Sequence, residues 1–140
     1  MPQNFAILLS DYQTIMNKGL PLKRFGQNYL HDQNIIKKII DEIAPKENES
    51  IIEIGPGKGA LTEHLFNSKA NLTAIEIDKR VIDDLKHRFT DLNLLQYDFL
   101  DLDLKQFITI ENQKLRIVGN IPYNITSPIL FKLFDNNTII

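Results

Sequence analysis

The 140-residue chain has no cysteine, which excludes disulfides, thiolate metal sites and a cysteine nucleophile. That absence fits a reducing compartment. Long apolar runs are missing too, and none approaches the ~20 residues a membrane span needs. The run from Phe5 to Leu9 is too short for the apolar part of a secretion signal and lacks a basic flank. These features predict a cytoplasmic protein without membrane contact. Charge of one sign is also lacking. The formal net charge is -2, so nothing draws the whole molecule towards nucleic acid, and RNA contacts must come from local patches or from residues outside this chain. The 43% apolar and 24% charged shares are ordinary for a globular protein. The length suits one domain with a real core.

Glycine is scarce, yet three of the six glycines stand at alternate positions, Gly55, Gly57 and Gly59. An apolar run, Ile51 to Ile54, precedes them and helix-compatible residues follow, which is the pattern of a strand, a tight turn and a helix. Glycine lets the backbone turn sharply and lie close to a ligand. The spacing Gly55-x-Gly57-x-x-Ala60 satisfies a dinucleotide fingerprint, and Glu76 closes a second apolar run about 20 residues on, where a ribose-binding acid is expected. These residues indicate an adenosine cofactor but leave NAD and S-adenosylmethionine both open.

Read in order, Ile7, Leu8, Tyr12, Ile15 and Met16 are spaced as a helix face that Gly19 could cap, in an accessory extension over residues 1–20. Lys23 to Asp32 lacks periodicity and mixes basic, aromatic and amide groups, as a binding loop does, while Asp32 suits an N-cap. A helix is predicted over 33–44 with an apolar stripe of Ile35, Ile36, Ile39, Ile40 and Ile43, ended by Pro45. Strands are predicted at about 51–54, 72–77, 93–97 and 115–118. Between them lie a helix to about Ser68, a helix capped by Asp78 and a short helix near 104–108. A last helix starts at Ser127-Pro128, with Ser127 as N-cap and Ile129, Leu130, Leu133 and Phe134 on its buried face. Alternating strands and helices imply a parallel sheet with ligands beyond its carboxyl ends. Gly55, Glu76, Asp98 and Asn120 fall at or just past those four ends. The three histidines, His31, His64 and His87, are scattered, so no metal site is expected.

Asn120-Ile121-Pro122-Tyr123 supplies parts for gripping a planar amine. The Asn120 oxygen and the Ile121 or Pro122 carbonyl can accept both N–H bonds of an exocyclic amino group, and Tyr123 can stack on the base. Accepting both protons frees the nitrogen lone pair to attack an electrophile, which selects the sulfonium methyl of S-adenosylmethionine over NAD.

Four ordered blocks, Arg24 to Leu30, Glu53 to Gly59, Ala74 to Asp78 and Gly119 to Asn124, resemble the N-terminal part of the ribosomal RNA adenine N6-dimethyltransferases of the KsgA/RsmA type. The resemblance spans about residues 21–135. It implies a Rossmann-like class I methyltransferase fold over residues 21–140, incomplete after the fourth strand and its helix. By the same likeness Asn28, Leu30, Gly55, Gly57, Glu76, Asp98 and Asn120 match cofactor-contacting positions, with Glu76 on the ribose and Asp98 on the adenine amino group. The implied cofactor is S-adenosyl-L-methionine, giving S-adenosyl-L-homocysteine. The implied substrate is small-subunit rRNA in the immature small ribosomal subunit, dimethylated at adenine N6 by a monomer. Family members continue past this point, so apolar surface is expected at the sheet edge and around Phe131 and Phe134. The macrolide-resistance methyltransferases of large-subunit rRNA share the glycine loop and Asn-Ile-Pro-Tyr. The Phe25 to Leu30 block, Pro56 and Ser127 to Phe134 favour the small-subunit enzymes. Other readings are an NAD-dependent oxidoreductase, a protein-glutamine methyltransferase, and a weakly active or inactive RNA-binding ribosome-assembly module.

Overall fold

The computed structural model describes residues 5–8 and 30–140. The elements run β1 (Phe5–Leu8), α1 (Gln33–Ile43), β2 (Ser50–Ile54), α2 (Thr62–Asn67), β3 (Asn71–Glu76), α3 (Lys79–Arg88), β4 (Asn93–Gln96), β5 (Arg116–Asn120) and α4 (Thr126–Asp135). Short 3-10 turns at Phe99–Asp101, Leu104–Phe107 and Tyr123–Ile125 link the later elements. All strand pairs are parallel, in the order β1-β5-β2-β3-β4.

β2 is buried along its whole length, as expected of a central strand covered on both faces. Because side chains alternate across a strand, its neighbours serve two cores. Ile52 and Ile54 join Ile75, Ile117, Ile129 and Leu133 on the α4 side. Ile51 joins Val118, Leu72, Leu61, Leu65 and Ile36 on the side covered by α1 and α2. Arg116 of β5 ties the amino ends together. It pairs with Glu49 at 2.9 Å and donates to the Ile43 carbonyl. The chain after α4 returns to the same end, where the Leu115 amide donates to the Ile139 carbonyl at 2.8 Å.

The α/β class, the four predicted strands and the Asp32 and Asp78 caps are as expected. Asp32 Oδ1 accepts from the amides of Asn34 and Ile35, and Asp78 Oδ1 from Arg80. Several local expectations need correction. Ile7 and Leu8 lie in a strand, not on a helix face, and β1 pairs along β5 from Phe5–Ile117 to Leu8–Asn120. Four residues are too few for periodicity to separate the two. Tyr12, Ile15, Met16 and Gly19 lie outside the described residues. Ile35 is 46% exposed, off the stripe formed by Ile36 and Ile43. Ser127 does not cap α4. The Tyr123–Ile125 turn runs straight into the helix at Thr126, so no side-chain cap is made. Phe134 is exposed rather than on the buried face of α4, and with exposed Phe131 it gives the apolar surface expected around those two residues. No helix among the described residues is long and apolar enough to cross a membrane.

Candidate functional site

The cleft at the carboxyl ends of the strands has a volume of about 360 Å³. Its base is the glycine loop. Gly55, Gly57 and Gly59 have φ of 62°, 54° and 78°, in the left-handed region that costs other residues ~1–2 kcal/mol. The loop is pinned at both ends. The Gly55 amide donates to Ile75 O, and the Gly59 amide to Pro56 O, each at 2.9 Å. From α3, Arg88 Nη1 donates to the Lys58 carbonyl at 2.6 Å, and its guanidinium sits 5.1 Å from the Phe89 ring centroid. The predicted helix does not follow at once, because a turn intervenes before Thr62.

Glu76 ends β3 on the cleft wall. Its Oε1 accepts from the amides of Ile77 at 2.8 Å and Asp78 at 3.0 Å, so backbone donors fix the orientation of the carboxylate. Asp98 follows β4, and its Oδ1 accepts from the Leu100 amide at 2.9 Å. Lys132 of α4 holds this turn in place by donating to the carbonyls of Leu100 at 2.7 Å and Leu102 at 2.5 Å. Asn120 closes β5 and lines the same cleft. The next residues turn out along the rim. Ile121 is buried, Pro122 sits on the wall and Tyr123 is 77% exposed. The Pro122 carbonyl already accepts from the Ile125 amide and the Thr126 hydroxyl, both at 3.2 Å.

Leu30, Gly55, Gly57, Glu76, Asp98 and Asn120 thus surround one cleft. Asn28 lies outside the described residues. Two buried polar residues were missed in the sequence. Glu53 is 2% exposed at the fourth of the five positions of β2, and Thr62 is fully buried at the start of α2. Among the described residues Glu53 Oε2 and Thr62 Oγ1 have no hydrogen-bond partner in normal geometry. The Thr62 hydroxyl is nonetheless near enough to favour the carboxylate electrostatically. Burial outweighs that help and, with the charge of Glu76, raises the Glu53 carboxyl to about 7. The available signal was a lone acid inside an apolar strand, Ser-Ile-Ile-Glu-Ile. An acid there must be paired, neutral or functional.

Residues 21–140 match the family described as Ribosomal RNA adenine dimethylase. The chain is 44% identical over 126 residues to ribosomal RNA small subunit methyltransferase A of Histophilus somni, covering 84% of this chain and 45% of that protein. It is 46% identical over 121 residues to the protein of the same name from Pseudomonas syringae pv. tomato, again covering 84% and 45%. It spans about half the length of these relatives. A dimethyladenosine transferase from Plasmodium falciparum superposes with a TM-score of 0.63 at 30% identity, over 77% of this chain and 38% of that one. The 23S rRNA methyltransferase ErmE gives 0.63 at 30% identity, over 74% and 41%.

Proposed function

Because the chain belongs to the ribosomal RNA adenine dimethylase family, we propose that it carries the cofactor-binding half of an enzyme that dimethylates adenine N6 in small-subunit rRNA. The reading places the protein in the cytoplasm as a monomer, with residues 21–140 as its methyltransferase domain. The carrying observation is the convergence of Gly55, Glu76, Asp98 and Asn120, from the ends of four strands, on one cleft. Such a rim is where a parallel sheet binds ligands. The set of acceptors suits S-adenosylmethionine. The Glu76 carboxylate, already oriented by two amides, is an acceptor for ribose hydroxyls, and Asp98 is an acceptor for the adenine amino group. When bound, the cofactor supplies an electrophilic methyl group.

The chain's own part in transfer is to position the target amine. Asn120 and the Ile121 carbonyl are the natural acceptors for its two N–H bonds, since the Pro122 carbonyl is engaged within its own turn. Pro122 stiffens the turn, and exposed Tyr123 offers a ring for stacking. The target base must leave its stack to reach this rim, which favours a loop or open helix end. The names of the relatives at 44% and 46% identity support the small subunit over the large one. Glu76→Ala removes hydrogen bonds to a charged acceptor, each worth ~1.5–3 kcal/mol, and weakens S-adenosylmethionine binding at least about tenfold. Calorimetry showing equal affinity in a folded variant overturns the assignment.

A further inference from the structure

Glu53 has no part in the function above, yet it sits inside the site. It lines the cleft between the glycine loop and β3 and is almost wholly buried. Among the described residues its Oε2 has no hydrogen-bond partner, and Thr62 supplies a hydroxyl that favours the carboxylate. A structural carboxylate this deep is normally held by an arginine, a lysine or several amides. Among the described residues Glu53 makes no ion pair.

The charged groups sharing the cleft are Glu76 at the end of β3, Asp98 past β4 and Lys58 of the loop, while β5 brings neutral Asn120. The packed helices add no buried charge. α2 presents Thr62 and keeps Glu63 and His64 exposed, and α1 keeps Lys37 and Asp41 in an exposed pair. Burial and Glu76 therefore leave the carboxyl half-protonated near neutral pH, at about 7.

We propose that Glu53 is a further ligand-responsive residue of this site, giving up its proton when the positively charged methionine portion of S-adenosylmethionine enters the cleft. The inference rests on the cofactor reading above. The O–H bond breaks, the carboxylate stays in the wall and the proton passes to solvent. No direct contact is needed, because a positive charge acts strongly on a carboxyl through a poorly polarisable wall. By linkage, binding strengthens with pH while the carboxyl is protonated in the unliganded protein and levels off above its midpoint.

The test is calorimetry on the whole chain at pH 6, in two buffers of different ionisation enthalpy. Wild type binds S-adenosylmethionine with release of up to about one proton, and its affinity rises about tenfold from pH 5.5 to 7. Glu53→Gln binds without that release and with a flat profile. S-adenosylhomocysteine, which keeps the ammonium but not the sulfonium, tells which charge is sensed. Neutral 5′-methylthioadenosine releases no proton. If Glu53→Gln does not fold, Thr62→Val serves instead. It removes the hydroxyl that favours the carboxylate, so release extends to higher pH. S-adenosylmethionine binding with no proton release, release undiminished in Glu53→Gln, or an unmoved profile in Thr62→Val overturns the inference and leaves the cofactor reading standing. No binding of S-adenosylmethionine by wild type at any pH overturns both.

Discussion

Asn120 and Tyr123 are the first and last residues of one four-residue motif, but the fold treats them differently. Asn120 ends a buried strand and lines the cleft, whereas Tyr123 stands 77% exposed on the rim. Their substitutions should therefore fail in different ways. On the proposed reaction, and in a chain of the relatives' full length, Asn120→Ala would lose an acceptor at the reacting nitrogen and is expected to cut methyl transfer about 10²-fold or more, with a smaller change in cofactor affinity. If Tyr123 stacks on the target base as proposed, Tyr123→Ala should lose ~1–3 kcal/mol, mainly in base capture, while Tyr123→Phe keeps the ring and should stay close to wild type. Equal damage from Phe and Ala would mean that the phenol hydroxyl carries the role. Glu76, Asp98 and Asn120 were legible in the sequence because each closes an apolar run, and in a parallel sheet run ends share a rim. Glu53 was not legible. It sits inside such a run, where the sequence shows a lone acid but only the three-dimensional packing shows that its Oε2 meets no hydrogen-bond partner among the described residues.

At the scale of elements, the glycine loop is set by what packs behind it. A Cβ on Gly59 would lie 2.9 Å from Leu85 Cδ2 and 3.3 Å from Arg88 Nη1, both on α3, while a Cβ on Gly55 meets nothing within 4 Å. Both have positive φ, so alanine at either pays the left-handed strain of ~1–2 kcal/mol. Gly59→Ala must in addition displace the ends of the Leu85 and Arg88 side chains, and Leu85 is fully buried with little room to give, adding ~1 kcal/mol or more. Urea denaturation should therefore rank Gly59→Ala as clearly more destabilising than Gly55→Ala. The reverse order would mean that the α3 contact does not constrain the loop. The central elements were readable because β2, β3 and β5 are apolar runs bounded by turn residues. The start of α4 was misread for a local reason. Ser127-Pro128 has the form of a helix start, but the 3-10 turn from Tyr123 supplies the first turn and makes the cap redundant. β1 was misread because four residues with no polar alternation fit either period, and only the β5 edge decides between them.

For the whole molecule, the sheet joins a strand from the beginning of the chain to one formed more than a hundred residues later, with Leu8 in register with Asn120. Among the described residues, two carboxyls also link stability to pH with opposite sign. Asp78 is held down to about 2, first by the Arg80 side chain and then by backbone amides. An acid whose carboxyl is lower in the folded state stabilises the fold above its ordinary range, and that contribution disappears as pH falls from about 4 to about 2. Glu53 works the other way. Its ordinary value of 4.5 rises to about 7 on folding, so between those values the folded chain holds more protons than the unfolded one. Stability from this group is then full below about 4.5 and declines as pH rises to about 7. The loss by pH 8 is on the order of 3 kcal/mol. The two windows do not overlap, so a single substitution separates them. Glu53→Gln keeps the volume and removes the buried ionisation. In denaturant melts without ligand, the variant should gain on wild type as pH goes from 5 to 8, while both lose stability in parallel below pH 4 as Asp78 is protonated. A constant difference between the two proteins from pH 5 to 8 would show that Glu53 ionises as readily in the fold as outside it.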